Sequence, residues 1–295
     1  MKNNLAPIVL FVYNRPWHTR QTIEALQKNE LAEESELFIY ADAAKNDDGK
    51  ESVNEVRRYI ETIDGFKKVT IIKREKNWGL ADSIIDGVTS IVNRYGKIIV
   101  LEDDLVTSSY FLKFMNEALV KYEKEEKVYS VTGYSFSNDI DICSTYFLKI
   151  TSSWSWGTWK DKWHSFSRED KRLRDCFKDK YLFNYDNAYN YAGMAKEQLK
   201  GNLDSWAIYW YASVFMKEGL TLYPAKSFVH NIGFDGSGVH CGVSNLKREY
   251  YNFDYKLMDD IVENSINRNR IVTILKNKNS SFINKIIYRI NRAWK

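Results

Sequence analysis

A regular alternation of short apolar runs and helical segments constrains the fold more than any other feature of this chain. The apolar runs occupy residues 8–12, 37–41, 69–72 and 98–101. Each of the first three is followed by a segment whose apolar residues recur at helical spacing. Such an alternation predicts a parallel sheet with helices packed on its faces. We therefore predict an α/β fold whose mixed sheet is mostly parallel.

Three consecutive carboxylates, Glu102-Asp103-Asp104 (the acidic triplet), follow the fourth apolar run directly. Adjacent acids at the end of a strand repel one another, and a bound divalent cation removes that repulsion. Acids after a strand also form solvated turns, so this stretch alone leaves both interpretations open. In open α/β folds, ligands bind at the carboxyl edge of the sheet, where the triplet is expected to lie.

Polar residues also follow the other three predicted strands. Asn14 and Arg15 follow the first strand, Asp42 the second and Asn77 the third. Because the carboxyl ends of parallel strands meet at one edge, these side chains are expected near the acidic triplet. Four polar strand ends in register favour a ligand site over a solvated turn.

Two common kinds of nucleotide-binding site are excluded by motifs that the chain lacks. No G-x-G-x-x-G follows the first strand, and the chain contains no Walker motif. A dinucleotide-binding fold and a P-loop are therefore not expected. Phosphate would instead be held by a metal ion and by side chains such as Arg15. Cys143, Cys176 and Cys241 form no C-x-x-C pair, which predicts neither a disulfide framework nor a zinc site and fits a reducing cytoplasm.

The second half of the chain is richer in aromatic residues and less regular. Residues 151–163 hold Trp154, Trp156, Trp159 and Trp163. At least two of these indoles are expected in the core, and the others would form a wall of a substrate pocket. Tyr223-Pro224 predicts an edge strand or the final strand.

Two further stretches contain candidate functional residues. Asp204 precedes a helix predicted to start near Trp206, where Asn202 or Asp204 would cap the helix. Similarly, Ser108 or Ser109 is expected to cap a helix that runs to residue 122. A glycine-rich loop, residues 230–240, holds His230 and His240, which are candidates for contact with metal or phosphate.

Together these residues resemble glycosyltransferases of the GT-A fold, in particular the N-acetylglucosaminyltransferase I type and its bacterial sugar-transferase relatives. The resemblance covers roughly residues 5–242, and its most specific element is the strand ending in Glu102-Asp103-Asp104-Leu105. In that family an E-D-D triplet replaces the D-x-D motif, and its last acid binds the manganese ion of the nucleotide-sugar. The resemblance implies that Asp104 binds the metal and that Glu102 and Asp103 face the ribose and sugar of the donor.

The resemblance implies roles for other residues as well. Arg15, beside Asn14, matches an arginine that contacts the donor, and Asp42 matches an aspartate that reads the uracil. The segment Asn77-Trp78-Gly79-Leu80 resembles an N-x-G-L turn, which places Asn77 and Gly79 near the nucleotide.

The catalytic aspartate of the family stands in a D-W context at the start of a helix. Here one serine separates Asp204 from Trp206. The resemblance makes Asp204 the expected base and leaves Asp235 in reserve.

The implied activity is transfer of a sugar from a nucleotide-sugar, with UDP favoured, to a hydroxyl of a glycan or lipid-linked acceptor. Mn²⁺ or Mg²⁺ at Asp104, with His240 as a second contact, would stabilise the departing diphosphate. Asp204 would take the acceptor proton, with inversion of configuration. The alternatives are a sugar nucleotidyltransferase, which usually has a glycine-rich basic loop after the first strand, and a non-catalytic carbohydrate-binding relative.

We expect residues 1–242 to form one GT-A-like catalytic domain, with a nucleotide-binding half at 1–135 and an acceptor half at 136–242. Residues 243–295 are expected to form a C-terminal extension that ends in a basic amphipathic helix.

This extension is basic, because the chain has eight lysines and arginines and no acid after Glu263. Its apolar residues between 282 and 294 fall on one face of a helix. Such a helix either docks on the body or lies on an anionic membrane, which would place a cytoplasmic enzyme on the inner face of that membrane. A nucleic-acid partner is not expected, because the rest of the chain is mildly acidic.

Overall fold

The computed structural model describes residues 5–136, 144–236, 250 and 252–290, with side chains described as far as residue 277. The strands are β1 (Ile8–Val12), β2 (Glu36–Ala41), β3 (Lys68–Lys73), β4 (Lys97–Glu102), β5 (Leu105–Thr107), β6 (Val128–Thr132), β7 (Tyr146–Leu148), β8 (Trp156–Trp159), β9 (Leu220–Tyr223) and β10 (Val229–Asn231). The helices are α1 (Pro16–Gln27), α2 (Lys50–Ile60), α3 (Gly79–Tyr95), α4 (Phe111–Lys121), α5 (Lys160–Trp163), α6 (Asp170–Asp175), α7 (Lys180–Phe183), α8 (Tyr191–Leu199), α9 (Trp206–Phe215) and α10 (Ser265–Ile290).

Eight of these strands form one mixed sheet in the order β3-β2-β1-β4-β8-β6-β9-β7. The first four in that order are mutually parallel, and β6 and β9 run in the same direction, whereas β8 and β7 are antiparallel to their neighbours. The predicted α/β class, with a mostly parallel mixed sheet flanked by helices, is confirmed. Strands from both predicted halves of the catalytic domain contribute to this sheet.

Burial on both faces explains why the central strands are apolar without interruption. In β1, Ile8, Leu10 and Val12 belong to the apolar cluster that includes residues of α1, α2 and α4. Val9 and Phe11 belong to a second cluster, which includes residues of α3 and α9. Helices therefore cover both faces, and the side chains of β1 alternate between the two cores.

The strand order reverses next to β1, because β2 and β3 lie on one side of it and β4 on the other. Such a switch point opens a crevice at the carboxyl ends of the two strands, where ligands of open α/β sheets bind. Arg15 follows β1 and the acidic triplet ends β4, so these predicted site residues flank the crevice.

A second, two-stranded sheet lies beside the acidic triplet. Strand β5 starts at Leu105, immediately after the triplet, and pairs with β10 in the antiparallel sense. The register puts Asn231 opposite Leu105. The start of the predicted glycine-rich loop therefore lies next to the acids.

The structure corrects three predictions about local structure. Helix α4 begins at Phe111 with Tyr110 at its N-cap, so neither Ser108 nor Ser109 caps it. Helix α9 is capped by Ser205, whose Oγ accepts a hydrogen bond from the Ile208 amide, rather than by Asn202 or Asp204. Strand β9 lies between β6 and β7 and precedes β10, so it is neither an edge strand nor the last.

The predicted tryptophan core is confirmed. Trp156, Trp159 and Trp163 are buried, and the Trp156 ring stacks on Trp206 with centroids 5.1 Å apart. Trp154 is half-buried. Cys176 is a buried free thiol, whereas Cys143 and Cys241 lie outside the described residues.

The C-terminal helix begins earlier than predicted, and its first part packs on the body. Ile271 and Leu275 of α10 are buried in the main core, and Arg268 pairs with Asp186 and Glu263. The apolar face predicted over 282–294 lies outside the residues whose side chains are described. No helix in the described ranges is long and apolar enough to cross a membrane.

Candidate functional site

The structure brings Arg15 and the last two acids of the triplet together at the crevice. The Arg15 Nε donates to Asp103 Oδ2 over 3.3 Å, and a terminal nitrogen also bonds Asp103 Oδ1. The same nitrogen lies 3.1 Å from Asp104 Oδ2. Both aspartates are buried. The prediction that these strand ends meet is therefore confirmed for Arg15 and the acidic triplet.

The charges at this site are not balanced. Burial, together with the nearby charges of Asp104 and Asp103, raises the pKa of Glu102 to about 8, although Arg15 lowers it. Burial also raises the pKa of Asp103 to about 6, although Arg15 opposes that shift. When all three acids are ionised, three carboxylates and one guanidinium leave two negative charges uncompensated. A single divalent cation would balance them.

The carboxylates of the acidic triplet supply part of a cation site and not a complete one. Within the described ranges, no group of three or more His, Cys, Asp and Glu side chains is placed to hold a metal ion. Mg²⁺ keeps several waters and commonly binds one or two carboxylates together with substrate phosphates. Asp104, which shares Arg15 with Asp103, fits the role of one such carboxylate. His240, the predicted second contact, lies outside the described residues.

The segment after β10 is fixed against Asp104. The Ile232 amide donates to the Asp104 carbonyl over 2.9 Å, and the Gly233 amide donates to Asn231 Oδ1 over 2.8 Å. A Cβ atom on Gly233 would collide with Asp104 Oδ2 and would come within 3.2 Å of Arg15. Any larger residue at Gly233 would therefore displace the acid or the arginine. Sequence reasoning identified this loop through its histidines but missed Gly233.

Asp42 does not point a free carboxylate into the crevice. It accepts hydrogen bonds from the backbone amides of Trp78 and Gly79, each at 2.9 Å, and from Asn77 Nδ2 at 3.0 Å. It also accepts one from the Ala43 amide. A carboxylate at the start of α3 is favoured by the helix dipole. Asp42, Asn77 and Gly79 are thus brought together, because the segment after β2 is hydrogen-bonded to the turn between β3 and α3.

Replacing Asp42 by alanine is expected to lower the free energy of unfolding by about 1–3 kcal/mol, because buried amides lose their acceptor. Urea unfolding would measure this loss. Asp48→Ala, at an exposed position in the loop before α2, is the matched control and should change stability by less than about 0.5 kcal/mol. Equal stability of the two variants would contradict the assigned role of Asp42.

Other predicted and unpredicted residues surround the crevice. Asn14 is half-buried in the turn before Arg15. Thr22 on α1 donates from its Oγ1 to the Asp103 carbonyl over 2.8 Å and was missed by sequence reasoning. The sequence feature that could have identified Thr22 is a polar pair, His18 and Thr22, one turn apart on the buried face of α1. Such a pair indicates a helix face that meets polar groups.

The two candidate bases lie in different surroundings. Asp204 is 64% exposed, and Arg168 contacts it at 3.4 Å. Arg168 also pairs with Asp82 in the first turn of α3, which places Asp204 at the carboxyl edge of the sheet. In the described part of the chain, the acidic triplet makes no hydrogen bond or ion pair with Asp204.

Asp235 follows Gly233 by two residues and therefore lies on the loop that contacts Asp104. Its Oδ2 is 3.1 Å from His18 Nε2, and its side chain is 46% exposed. His18 is itself buried on α1. Asp235 is therefore only two residues from Gly233, which packs against Asp104, whereas Asp204 lies on a different segment of the chain.

Comparisons with known proteins add no assignment. No protein-family model matches the chain. A search of curated proteins returns no significant match. The chemistry of the site itself must therefore support any functional assignment.

Proposed function

We propose that this protein is a metal-dependent glycosyltransferase of the GT-A fold. It would move a sugar from a nucleotide-sugar, favoured as a UDP-sugar, to a hydroxyl of a glycan or lipid-linked acceptor. The observation that supports this most is the acidic triplet at the switch point of the sheet, where three acidic side chains face the single guanidinium of Arg15. Such a site favours an anionic ligand that arrives with a divalent cation.

Each residue of the crevice has a role in this proposal. Asp104 would hold Mn²⁺ or Mg²⁺, which when bound would act as a Lewis acid on the departing diphosphate. Arg15 holds Asp103 in place and offers positive charge to the same phosphates. Glu102 and Asp103 would accept hydrogen bonds from donor hydroxyls. Because Asp103 is buried and Glu102 is partly buried, water competes poorly for those hydrogen bonds.

The acceptor hydroxyl must lose its proton as the sugar is transferred. We assign this step to Asp204, whose exposed carboxylate at the sheet edge is open to an acceptor. Direct displacement by that hydroxyl would invert the configuration of the sugar. Asp235 is the competing base, and replacing each aspartate by asparagine distinguishes between the two.

The test is thermal unfolding of the protein with a panel of UDP-, GDP- and dTDP-sugars, with and without Mn²⁺. Donor at 100 times its Kd would add about 2.7 kcal/mol of stability. That corresponds to a rise in Tm of several degrees, at roughly 2–4 °C per kcal/mol. We expect this rise for at least one donor and only when Mn²⁺ is present. No shift with any donor would refute the proposed site.

The C-terminal helix supports a proposal about location. The docked part of α10 fixes its start on the body, and the chain beyond Leu275 carries basic residues and no acid. A cytoplasmic enzyme held on the membrane in this way would meet a lipid-linked acceptor.

We expect the full chain to sediment with anionic vesicles at low salt and a chain ending at residue 279 to remain in the supernatant. Each basic residue near such a surface contributes about 1 kcal/mol, so added salt should weaken the binding. Neutral vesicles are the control. Equal sedimentation of both chains would contradict the membrane role.

A further inference from the structure

A second recess lies beside the crevice at the same edge of the sheet. It has a volume of about 250 Å³ and is lined mainly by aromatic rings, including Tyr134, Trp154, Tyr189 and Tyr191. Residues 151–153, a threonine and two serines, add hydroxyl groups to its wall. We name this recess the aromatic pocket. Its volume is slightly below the ~300 Å³ at which sites for whole small ligands begin, so it suits a single ring.

The topology of the sheet sets the distance between the aromatic pocket and the acidic triplet. Tyr134 follows the carboxyl end of β6, and residues 151–154 precede β8, which is antiparallel and so starts at that same edge. Strand β6 is two positions from β4 in the sheet. Neighbouring strands are spaced by ~4.8 Å, so the two strand ends lie about 10 Å apart.

The aromatic pocket and the crevice share a wall of aromatic rings. The Trp154 ring contacts Tyr134 with centroids 4.7 Å apart and Phe234 with centroids 5.6 Å apart. Phe234 stands directly between Gly233, which packs on Asp104, and Asp235. A ligand in the aromatic pocket would therefore lie one ring away from the segment that contacts the triplet.

The backbone around the aromatic pocket is strained. Ser155, next to Trp154, has φ +48°, and the consecutive residues Tyr185, Asp186 and Asn187 have φ between +49° and +58°. Each such non-glycine residue costs about 1–3 kcal/mol, and strain of this kind is concentrated at functional sites. Arg268 of α10 bonds the Asp186 carboxylate over 2.7 Å and fixes the turn that leads to Tyr189.

We propose that the aromatic pocket binds one sugar ring of the acceptor. This inference rests on the proposed function and adds the chemical class of the acceptor group. A pyranose has an apolar C–H face that packs on flat rings and hydroxyls that bond to tyrosine and serine. The hydroxyl of Tyr189, like that of an ordinary tyrosine, is neutral at pH 7 and both donates and accepts hydrogen bonds. Leu275 of α10 also lines the pocket, which brings the C-terminal helix to the acceptor.

Saturation-transfer NMR on the full chain tests the pocket without any catalysis. The probes are methyl glycosides of glucose, galactose, rhamnose and N-acetylglucosamine, together with uridine. Tyr189 is 36% exposed and its ring contacts Tyr191 at a tilt, with centroids 4.7 Å apart, so Tyr189→Ala removes a wall of the pocket without opening the core. Tyr181→Ala is the matched control, because that tyrosine is 54% exposed and lies outside the pocket.

We expect ring-proton signals from at least one glycoside, reduced at least fivefold in Tyr189→Ala and unchanged in Tyr181→Ala. Tyr189→Phe, which keeps the ring, should retain most of the signal. The Mn²⁺-dependent donor shift should be the same in all three variants.

Two results would overturn the inference. One is the absence of glycoside signal, or a signal that persists in Tyr189→Ala. The other is a uridine signal that is lost in Tyr189→Ala, which would make the pocket a nucleobase site. Because the donor shift is measured separately, either failure is distinguishable from failure of the glycosyltransferase proposal.

Discussion

Asp104→Asn is expected to abolish the Mn²⁺-dependent stabilisation of the protein by nucleotide-sugars and to reduce sugar transfer by about 10³-fold or more. The reduction follows from the several kcal/mol that a bound cation contributes to stabilising charge in the transition state. An asparagine keeps the shape of the aspartate, so the contact with Gly233 is preserved. The substitution therefore removes charge at the crevice and little else.

The unfolding of Asp104→Asn without any ligand provides an internal control. Asp104 is one of the charges that raise the pKa of Glu102, so its neutralisation relieves repulsion within the acidic triplet. We expect the variant without cation to be at least as stable as the unmodified protein. Asp48→Asn, at an exposed position, should leave the donor shift intact. A full donor shift in Asp104→Asn would exclude Asp104 as the cation ligand.

The second large effect is expected at the base. Asp204→Asn should lower kcat for transfer by about 10²–10⁴-fold, which is the usual contribution of a positioned general base. The donor shift and the KM for donor should stay unchanged, because the carboxylate is assigned to the acceptor proton. Steady-state kinetics with the donor found by thermal unfolding would measure both quantities.

Asp235→Asn, measured in parallel, decides between the two carboxylates. Asp235 lies near His18 and two residues beyond Gly233, so a change there acts on the loop beside Asp104. If Asp204 is the base, Asp235→Asn should alter kcat by less than tenfold. The reverse pattern, with the large loss in Asp235→Asn and a normal kcat in Asp204→Asn, would move the base to Asp235.

The parallel part of the fold was predictable because its signals are local. Each strand from β1 to β4 is a short apolar run, and α1, α2 and α3 have helical periodicity, so their order indicated the sheet. The position of β8 between β4 and β6 was not predictable. Residues 151–163 are rich in aromatic side chains, and their spacing does not distinguish a strand from a helix. Only the pairing of residues 156–159 with β4 makes that part of the segment a strand.

The site was predictable to a similar degree. Arg15 and the acidic triplet meet because parallel strand ends share an edge, which follows from topology alone. The proximity of Asp42 and Asn77 was predictable from neighbouring strand ends, but the hydrogen bonds of Asp42 with the backbone amides of Trp78 and Gly79 were not, because backbone donors leave no sequence signal. That Ser205 and not Asp204 caps α9 was also not predictable. Both residue types favour the N-cap position, and the backbone geometry determines which of them occupies it.

The position of β8 has a consequence for synthesis of the chain on the ribosome. Strand β4 pairs with β1 on one side, but its other partner, residues 156–159, is made more than fifty residues later. Until then the apolar residues 98–101 form an open edge, which invites pairing with other chains. Lys97 precedes that edge and the acidic triplet follows it, and charges that flank an apolar strand suppress aggregation. We therefore expect the same acids to limit aggregation of the nascent chain before any ligand can reach them.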